Sequence, residues 1–458
     1  MATTSHPPHA SFVNAHQHTT TIAAIATAPG IGALATIRIS GPESLPILER
    51  IAGKTLQPRR ATLAAIRDRD GHILDRTVAT YYQAPASFTG ENTVEITCHG
   101  GHLVTRRILA RILEAGAEPA APGEYTQRAF LNGKLDLTQA EAVMDIISAG
   151  SDLALRAAQN QLEGAIGQRI QTQVSALIGI TAHLEAYIDF PEEDISPDTA
   201  GQLADGIARI RENLDTLLQT AEQGRLLREG IRTAIIGEPN VGKSSLLNSL
   251  LGYERAIVSD IAGTTRDTIE ETVHIGGLSL RLIDTAGIHH TEDTIEQAGI
   301  ARTLRAGAEA DLVLEIADAT QPPRRIPLPE TPRIHLLILN KTDLGTHPAW
   351  EGIEAIPYSC LTGTGKHDLE QRMVSAFLSG ETLTPGHELA AINARHQHSL
   401  KQTVASLEAA RASILAGDSP EYTALDLREA LDHLGAITGR IDTEDILTAI
   451  FSQFCLGK

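Results

Sequence analysis

Residues 235 to 245 read Ile-Ile-Gly-Glu-Pro-Asn-Val-Gly-Lys-Ser-Ser, an apolar strand that enters a glycine-rich loop and opens a helix at Leu246 and Leu247. The pattern G-x-x-x-x-G-K-[ST] is filled by Gly237, Gly242, Lys243 and Ser244. It constrains the fold because it functions only between a strand and a helix N-terminus. Gly237 and Gly242 let the backbone turn its N–H groups inward toward phosphates. Lys243 places a point charge on the β- and γ-oxygens, and the Ser244 hydroxyl is a ligand for Mg²⁺. The run Asn240, Val241, Gly242, Lys243, Ser244 and Ser245 is therefore the expected phosphate cradle of an α/β nucleotide-binding domain.

Further pieces follow in the order that a nucleotide switch needs. Residues 263 to 267, Gly-Thr-Thr-Arg-Asp, offer a threonine hydroxyl to the Mg²⁺ shell, and an alternating run ends in Asp284-Thr285-Ala286-Gly287. Asp284 stands where an outer-sphere Mg²⁺ carboxylate belongs, with the Gly287 amide directed to the γ-phosphate. The apolar run 334 to 339 delivers Asn340-Lys341-Thr342-Asp343. A carboxylate at Asp343 accepts two hydrogen bonds from guanine N1 and N2, donors that adenine does not present, so GTP is the expected nucleotide. Ser359, Cys360 and Leu361 open a stretch similar to the last base-contacting loop of such domains, with Cys360 where alanine is usual. Hydrolysis departs from the Ras-like pattern, because Ile288 occupies the place of the glutamine that orients water. Glu292, Asp293 and Glu296 lie in or beside a helix start downstream, where acids either complement the helix dipole or position water; both readings stay open.

At 458 residues and 42% hydrophobic content the chain is expected to be globular, with two to four domains. The three cysteines, Cys98, Cys360 and Cys455, are widely spaced and give no disulfide framework or zinc pattern. The first basic residue is Arg38, so neither a secretory signal nor a transit peptide is expected, nothing spans a membrane, and the cytoplasm is the expected compartment. A formal charge of −19 argues against broad nonspecific nucleic-acid binding. Local patches remain open, and Arg106, Arg107 and Arg111 on an expected helix form one, or else a solvated helix face.

Residues 1 to 20 hold His6, His9, His16 and His18 without apolar period and are expected to be a disordered lead-in. From Thr21, strand-like runs surround a Pro-Gly turn. Ile37 and Ile39 share one face and Arg38 takes the other; Val94 and Ile96 face inward while Glu95 and Thr97 face out. Val104, Ile108 and Ile112 form a helical stripe, so residues 21 to 136 are expected to be an α/β domain. Residues 137 to 230 carry helical periods, Ile166, Ile170, Val174, Leu177, Leu184 and Ile188, then Leu203, Ile207, Ile210, Leu214, Leu217 and Ala221. Leu400, Val404, Leu407 and Ile414 resume that period within residues 381 to 458. The nucleotide region, 231 to 380, thus reads as an insertion into one helical bundle. The fold class is multidomain, α/β plus all-α.

The strings Ala-Pro-Gly-Ile-Gly (28 to 32), Ser-Phe-Thr-Gly-Glu-Asn (87 to 92), Val-Glu-Ile-Thr-Cys-His-Gly-Gly (94 to 101), the run 122 to 137 and the terminal Phe-Cys-Leu-Gly-Lys resemble the MnmE (TrmE) family of tRNA-modification GTPases. The resemblance covers essentially all of the chain after residue 20. It implies an N-terminal tetrahydrofolate-binding domain, a helical domain and an inserted Ras-like GTPase domain. It also implies a homodimer that binds GTP, Mg²⁺, K⁺ and a 5-formyl- or methylene-tetrahydrofolate derivative. A flavoprotein partner of the MnmG type, bound as a heterotetramer, would join it in placing an aminomethyl or carboxymethylaminomethyl group on the wobble uridine of tRNA.

By motif, the stretch Ser259, Asp260, Ile261, Ala262, Gly263, Thr264 and Thr265 joins Asp284, Thr285, Ala286 and Gly287 at the nucleotide. Asn240, Ser259, Ile261 and Thr264 would hold K⁺, Ser244 and Thr265 would hold Mg²⁺, and Glu296 would orient water. Arg38, Glu95, Lys134 and Lys458 fall on folate-contacting positions, and Cys455 is a candidate catalytic thiol. Ile31 stands where the family often has Arg. The competing class is a regulatory or ribosome-assembly GTPase switch without base chemistry, from which the folate-type strings and the terminal cysteine distinguish this chain.

Overall fold

A computed structural model describes residues 20–189, 200–252, 271–283, 310–324, 334–377 and 392–439, together with Ile450, Phe451, Phe454 and Gly457. The chain divides into two compact units, residues 1–144 with 434–458, and residues 145–433.

The first unit is built on a six-stranded sheet of β1 (Ile22–Ile25), β2 (Leu34–Ser40), β3 (Thr62–Arg67), β4 (Ile73–Tyr82), β5 (Thr93–His99) and β6 (Glu118–Pro119), in the order β3-β4-β5-β2-β1-β6. Alternation along β2 and β5 buries Ile37, Ile39, Val94 and Ile96 completely. They pack beneath α1 (Ser44–Ala52) and α2 (His102–Glu114), which bury Ile47, Leu48, Ile108 and Ile112 in the same core. Each fully buried aliphatic side chain contributes roughly 1.5–3 kcal/mol, so a one-residue register slip, which would turn this set outward, is strongly disfavoured. The opposite face presents Arg38 directly across from Glu95, and Thr36 across from Thr97.

Behind the sheet, α3 (Glu124–Leu131) holds the largest buried side chain of the unit, Arg128, 1% exposed. Its guanidinium donates to both Glu91 oxygens at 3.2 Å, to Glu124 at 2.7 Å and to the Thr20 carbonyl at 2.9 Å. The C-terminal segment returns to this unit. Phe451 and Phe454, with ring centroids 5.5 Å apart, lie against Gly123, and Gly457 abuts the backbone of Ile25 and Ala26.

The second unit contains a six-stranded sheet of β7 (Ile231–Ile236), β8 (Glu271–Ile275), β9 (Leu278–Leu282), β10 (Leu312–Asp318), β11 (Ile334–Asn340) and β12 (Ile356–Pro357), ordered β12-β11-β10-β7-β9-β8. All neighbours are parallel except β8 and β9. The helix Lys243–Leu251 buries Leu246, Leu247 and Leu250 among Ile231, Ile235, Leu280, Leu314 and Ile316. A parallel sheet of this kind collects its loops, and hence its ligand site, at the carboxyl ends of the strands.

Helices Ala165–Asp189, Ala200–Gln219 and Ala394–Ala416 carry the expected apolar periods, with two corrections. Val404 and Ile414 are only half-buried, and Thr403, Ser406, Leu407, Ala410 and Ser413 form the inward seam instead. The seam faces Ala200–Gln219, and small residues there let two helices approach closely. Ile188 and Leu203 are likewise half-buried, and Ala204 takes the buried place next to Leu203. The helix Ala221–Glu229 joins β7 through Arg225, which donates to Asp311 at 2.6 Å and to Glu222 at 2.7 Å. Asp311 in turn accepts the Arg232 amide at 3.0 Å. The Glu222 and Asp311 carboxylates raise the guanidinium pKa against the opposing effect of burial.

Arg128→Met should destabilise the first unit by about 3–5 kcal/mol, because Glu91 and Glu124 would keep largely buried charge without its counter-ion. Urea unfolding of the purified protein checks this, and a loss below about 1 kcal/mol would mean that water replaces the guanidinium.

Candidate functional site

The loop after β7 turns sharply enough that Asn240 adopts φ 64° and Gly242 φ 109°. A side chain at Gly242 would collide with the Asn340 amide nitrogen, so close approach as well as φ requires glycine. Lys243 begins the helix and donates to the carbonyls of Gly237 at 2.9 Å and Glu238 at 2.8 Å, which fixes the ammonium over the loop. Burial lowers its pKa, partly offset by Glu238. Ser244 and Ser245 follow in the first turn, where the helix N-terminus and its dipole favour anions.

Asn340, 3% exposed at the end of β11, links two loops. Its Nδ2 donates to the Val241 carbonyl at 2.8 Å, and its Oδ1 accepts the Cys360 amide at 3.0 Å. Lys341, held at φ 67°, spans from the Asn240 carbonyl at 3.0 Å to Asp318 at 2.7 Å. Burial would push the Asp318 carboxyl up, but the hydrogen bonds from Lys341 and Thr320 bring it below its ordinary value. Thr342 donates to the Tyr358 carbonyl at 2.9 Å, and Ser359 donates to Asp343 at 2.6 Å. Leu361 projects into solvent, 85% exposed. Burial pushes the Cys360 thiol up to about 11, so at neutral pH it is a small protonated side chain. Asn240, Val241, Gly242, Lys243, Asn340, Lys341, Thr342, Asp343, Ser359 and Cys360 thus form one hydrogen-bonded cluster at the carboxyl ends of β7, β10 and β11.

The remaining expected nucleotide and ion contacts, Ser259, Asp260, Ile261, Ala262, Gly263, Thr264, Thr265, Asp284, Thr285, Ala286, Gly287 and Glu296, lie outside the described residues. So do Cys455 and Lys458 and the histidines of the first nineteen residues.

A second polar cluster occupies the face of the first unit's sheet that Tyr125 of α3 packs against. Arg38 donates to Glu95 through Nε at 3.0 Å and Nη2 at 2.8 Å. Its guanidinium carbon lies 5.5 Å from the Phe88 ring centroid and 5.6 Å from that of Tyr125, within cation–π range. The Tyr125 hydroxyl donates to the Arg38 carbonyl at 2.8 Å. Lys134 donates to the Pro85 carbonyl at 3.2 Å, in the segment that carries Phe88. Phe88 and Tyr125 are site residues that residue-by-residue reading passes over, although both stand inside the strings that resemble the family. Ile31 is 85% exposed.

Among the described residues Asp68, Asp70 and His72 are grouped closely enough to hold an ion, yet all three lie on an exposed hairpin. Among the described residues no helix is long and apolar enough to cross a membrane.

The parallel sheet, the glycine-rich loop and the braced Asn-Lys-Thr-Asp loop define the class, a P-loop nucleotide-binding protein with a guanine-reading loop. The description "GTP-binding protein TrmE N-terminus" matches residues 21–134 and "MnmE helical domain" matches residues 137–455. The protein named "tRNA modification GTPase MnmE" from Akkermansia muciniphila is 59% identical over 443 residues, covering 96% of this chain and 99% of that one. Proteins of the same name from Opitutus terrae and Aquifex aeolicus are 44% and 43% identical, covering 96% and 95% of this chain and 99% of each relative. The chain belongs to the MnmE family.

Asn340→Ala should cost about 2–4 kcal/mol of stability, since it leaves the Val241 carbonyl and the Cys360 amide without their partner. It should also weaken guanine nucleotide binding at least about tenfold, or 1.4 kcal/mol. Titration with a fluorescent GDP analogue beside thermal unfolding separates the two, and unchanged affinity would show that the loops keep their geometry unaided.

Proposed function

We propose that the chain is a GTP-hydrolysing enzyme of tRNA modification that works on the wobble uridine with a flavoprotein partner of the MnmG type, in the cytoplasm and as a homodimer. The observation that carries the GTPase part is the position of Asn340, which ties the phosphate loop to the loop that carries the base contacts. Lys243 and the amides that start its helix supply positive charge to the phosphates, and Asp343, held by Ser359, pairs with guanine N1 and N2. Family membership supports the tRNA part.

Ser244 stands at the first helical turn beside Lys243, where a hydroxyl fits a Mg²⁺ shell, and Thr265 would join it. The exposed, positive-φ Asn240 would share K⁺ with Ser259, Ile261 and Thr264. A bound K⁺ supplies fixed charge against the phosphates as negative charge develops between them. Ile288 has no hydrogen-bonding group, so Glu296 takes the water-orienting role, through a further water.

The guanidinium, carboxylate, aromatic ring and ammonium of Arg38, Glu95, Phe88 and Lys134 match the chemistry of a reduced folate, whose flat ring carries donors and acceptors and whose tail is anionic. A tetrahydrofolate derivative bound there supplies a one-carbon unit. Arg38 and Lys134, with Lys458, bind and orient it. Cys455, the residue after the buried Phe454, serves the base chemistry. The domain organisation that goes with this reading has residues 137–230 and 381–458 as one helical domain interrupted by the GTPase region, 231–380.

GTP turnover should be much faster in K⁺ than in Na⁺ at fixed Mg²⁺, and equal rates would remove K⁺ from the site. Mass spectrometry of tRNA nucleosides from cells lacking the protein should show loss of the wobble modification. Unaltered nucleosides would leave a GTPase switch without base chemistry.

A further inference from the structure

The acidic surplus of the chain is confined to one part of it. Residues 1–144 and 434–458, the first unit, carry fifteen Lys and Arg against fifteen Asp and Glu, whereas residues 145–433 carry twenty-three against forty-two. Such asymmetry steers a polyanion toward the first unit and away from the second. Within the first unit many carboxylates are already matched. Glu95 pairs with Arg38 at 2.8 Å, Glu124 and Glu91 with Arg128, and Glu114 with Arg69 at 2.9 Å.

Of the arginines of α2, Arg111 is engaged by Glu114 at 3.8 Å and by the Arg67 carbonyl at 3.1 Å, whereas the other two are not matched in this way. Arg106 and Arg107 are exposed and make no hydrogen bond or ion pair among the described residues. His102 and Leu103, one turn earlier, are exposed too, Leu103 at 69%. Residues four apart on a helix are about 5–6 Å apart, so His102 lines up with Arg106 and Leu103 with Arg107. The face therefore offers two guanidiniums for phosphates, beside an imidazole and an apolar side chain suited to sugar or base edges.

We propose that the outer face of α2, centred on Arg106 and Arg107, docks the sugar–phosphate backbone of tRNA. The proposal rests on the reading that the chain acts on tRNA. It gives a function to the local basic patch in a chain whose overall charge opposes RNA binding.

The test is fluorescence anisotropy of labelled, unmodified tRNA with the full-length protein across a salt series. R106E/R107E should bind at least about tenfold more weakly at low salt. The charge-neutral R106Q/R107Q should flatten the plot of log affinity against log salt by about 1–2, near 0.9 for each phosphate no longer neutralised. Thermal unfolding and GTP turnover of both variants should match wild type. A control with the same charge change in the second unit, R372E/K401E, should bind tRNA as wild type does, and an equal loss there would reduce the effect to net charge and overturn the proposal. Normal tRNA binding by R106E/R107E overturns the assignment of α2 while leaving the tRNA reading intact, including where only binding of a flavoprotein partner is lost. A wild-type protein with no affinity for tRNA removes that reading and the proposal together.

Discussion

The nucleotide site depends on the two hydrogen bonds of one buried amide. Asn340 donates to the Val241 carbonyl and accepts the Cys360 amide, so the phosphate loop and the base loop cannot shift independently. The amide does not need to touch nucleotide to do this. Its value lies in burial, because at 3% exposure water cannot substitute for either bond. Lys341 repeats the device a residue later by joining the Asn240 carbonyl to Asp318. Gly242 permits both, since any larger residue would displace the Asn340 side chain.

From that cluster, contacts run outward through packed elements. The Tyr358 hydroxyl meets Ser249 at 2.7 Å, which ties the base loop to the phosphate-binding helix. At the opposite ends of the strands, Asp311 connects Arg225 and the Arg232 amide, so the helix that precedes β7 is fastened to the strand next to it in the sheet. Changes at the phosphates therefore have a continuous physical route to the helices of the second unit. The first unit uses a different device, an arginine buried with two carboxylates, to hold α3 against the segment that contains Glu91.

Much of this is legible in the residues because spacing carries the information. The P-loop stands between a strand and a helix, and Arg38 and Glu95 lie on the face opposite Ile37 and Ile96 because strands alternate with period two. Arg128 is not legible. A charged residue in an amphipathic stretch reads as solvent-facing, and only the fold brings Glu91, thirty-seven residues away, against it. The seam of Thr403, Ser406, Ala410 and Ser413 escapes for a related reason, since small polar residues carry little hydrophobic signal yet suit close helix packing. Asn340 reads as part of a base motif, whereas its bond to Val241, ninety-nine residues away, is a long-range contact. Phe88 and Tyr125 escape because an aromatic beside a guanidinium has no fixed sequence spacing.

The central claim is that Asp343, braced by Ser359 in the loop that the Asn340 amide holds through Cys360, reads the base as guanine. It is tested most directly by measuring the affinities of Asp343→Asn for GTP and XTP beside wild type. An amide in place of the carboxylate donates where guanine also donates, and donates where the second xanthine carbonyl accepts. The account requires the wild-type preference for GTP to reverse in the variant, with at least about a tenfold change for each nucleotide, or 1.4 kcal/mol. A variant that still prefers GTP to XTP would contradict it, and the guanine contact would then have to lie elsewhere in the chain.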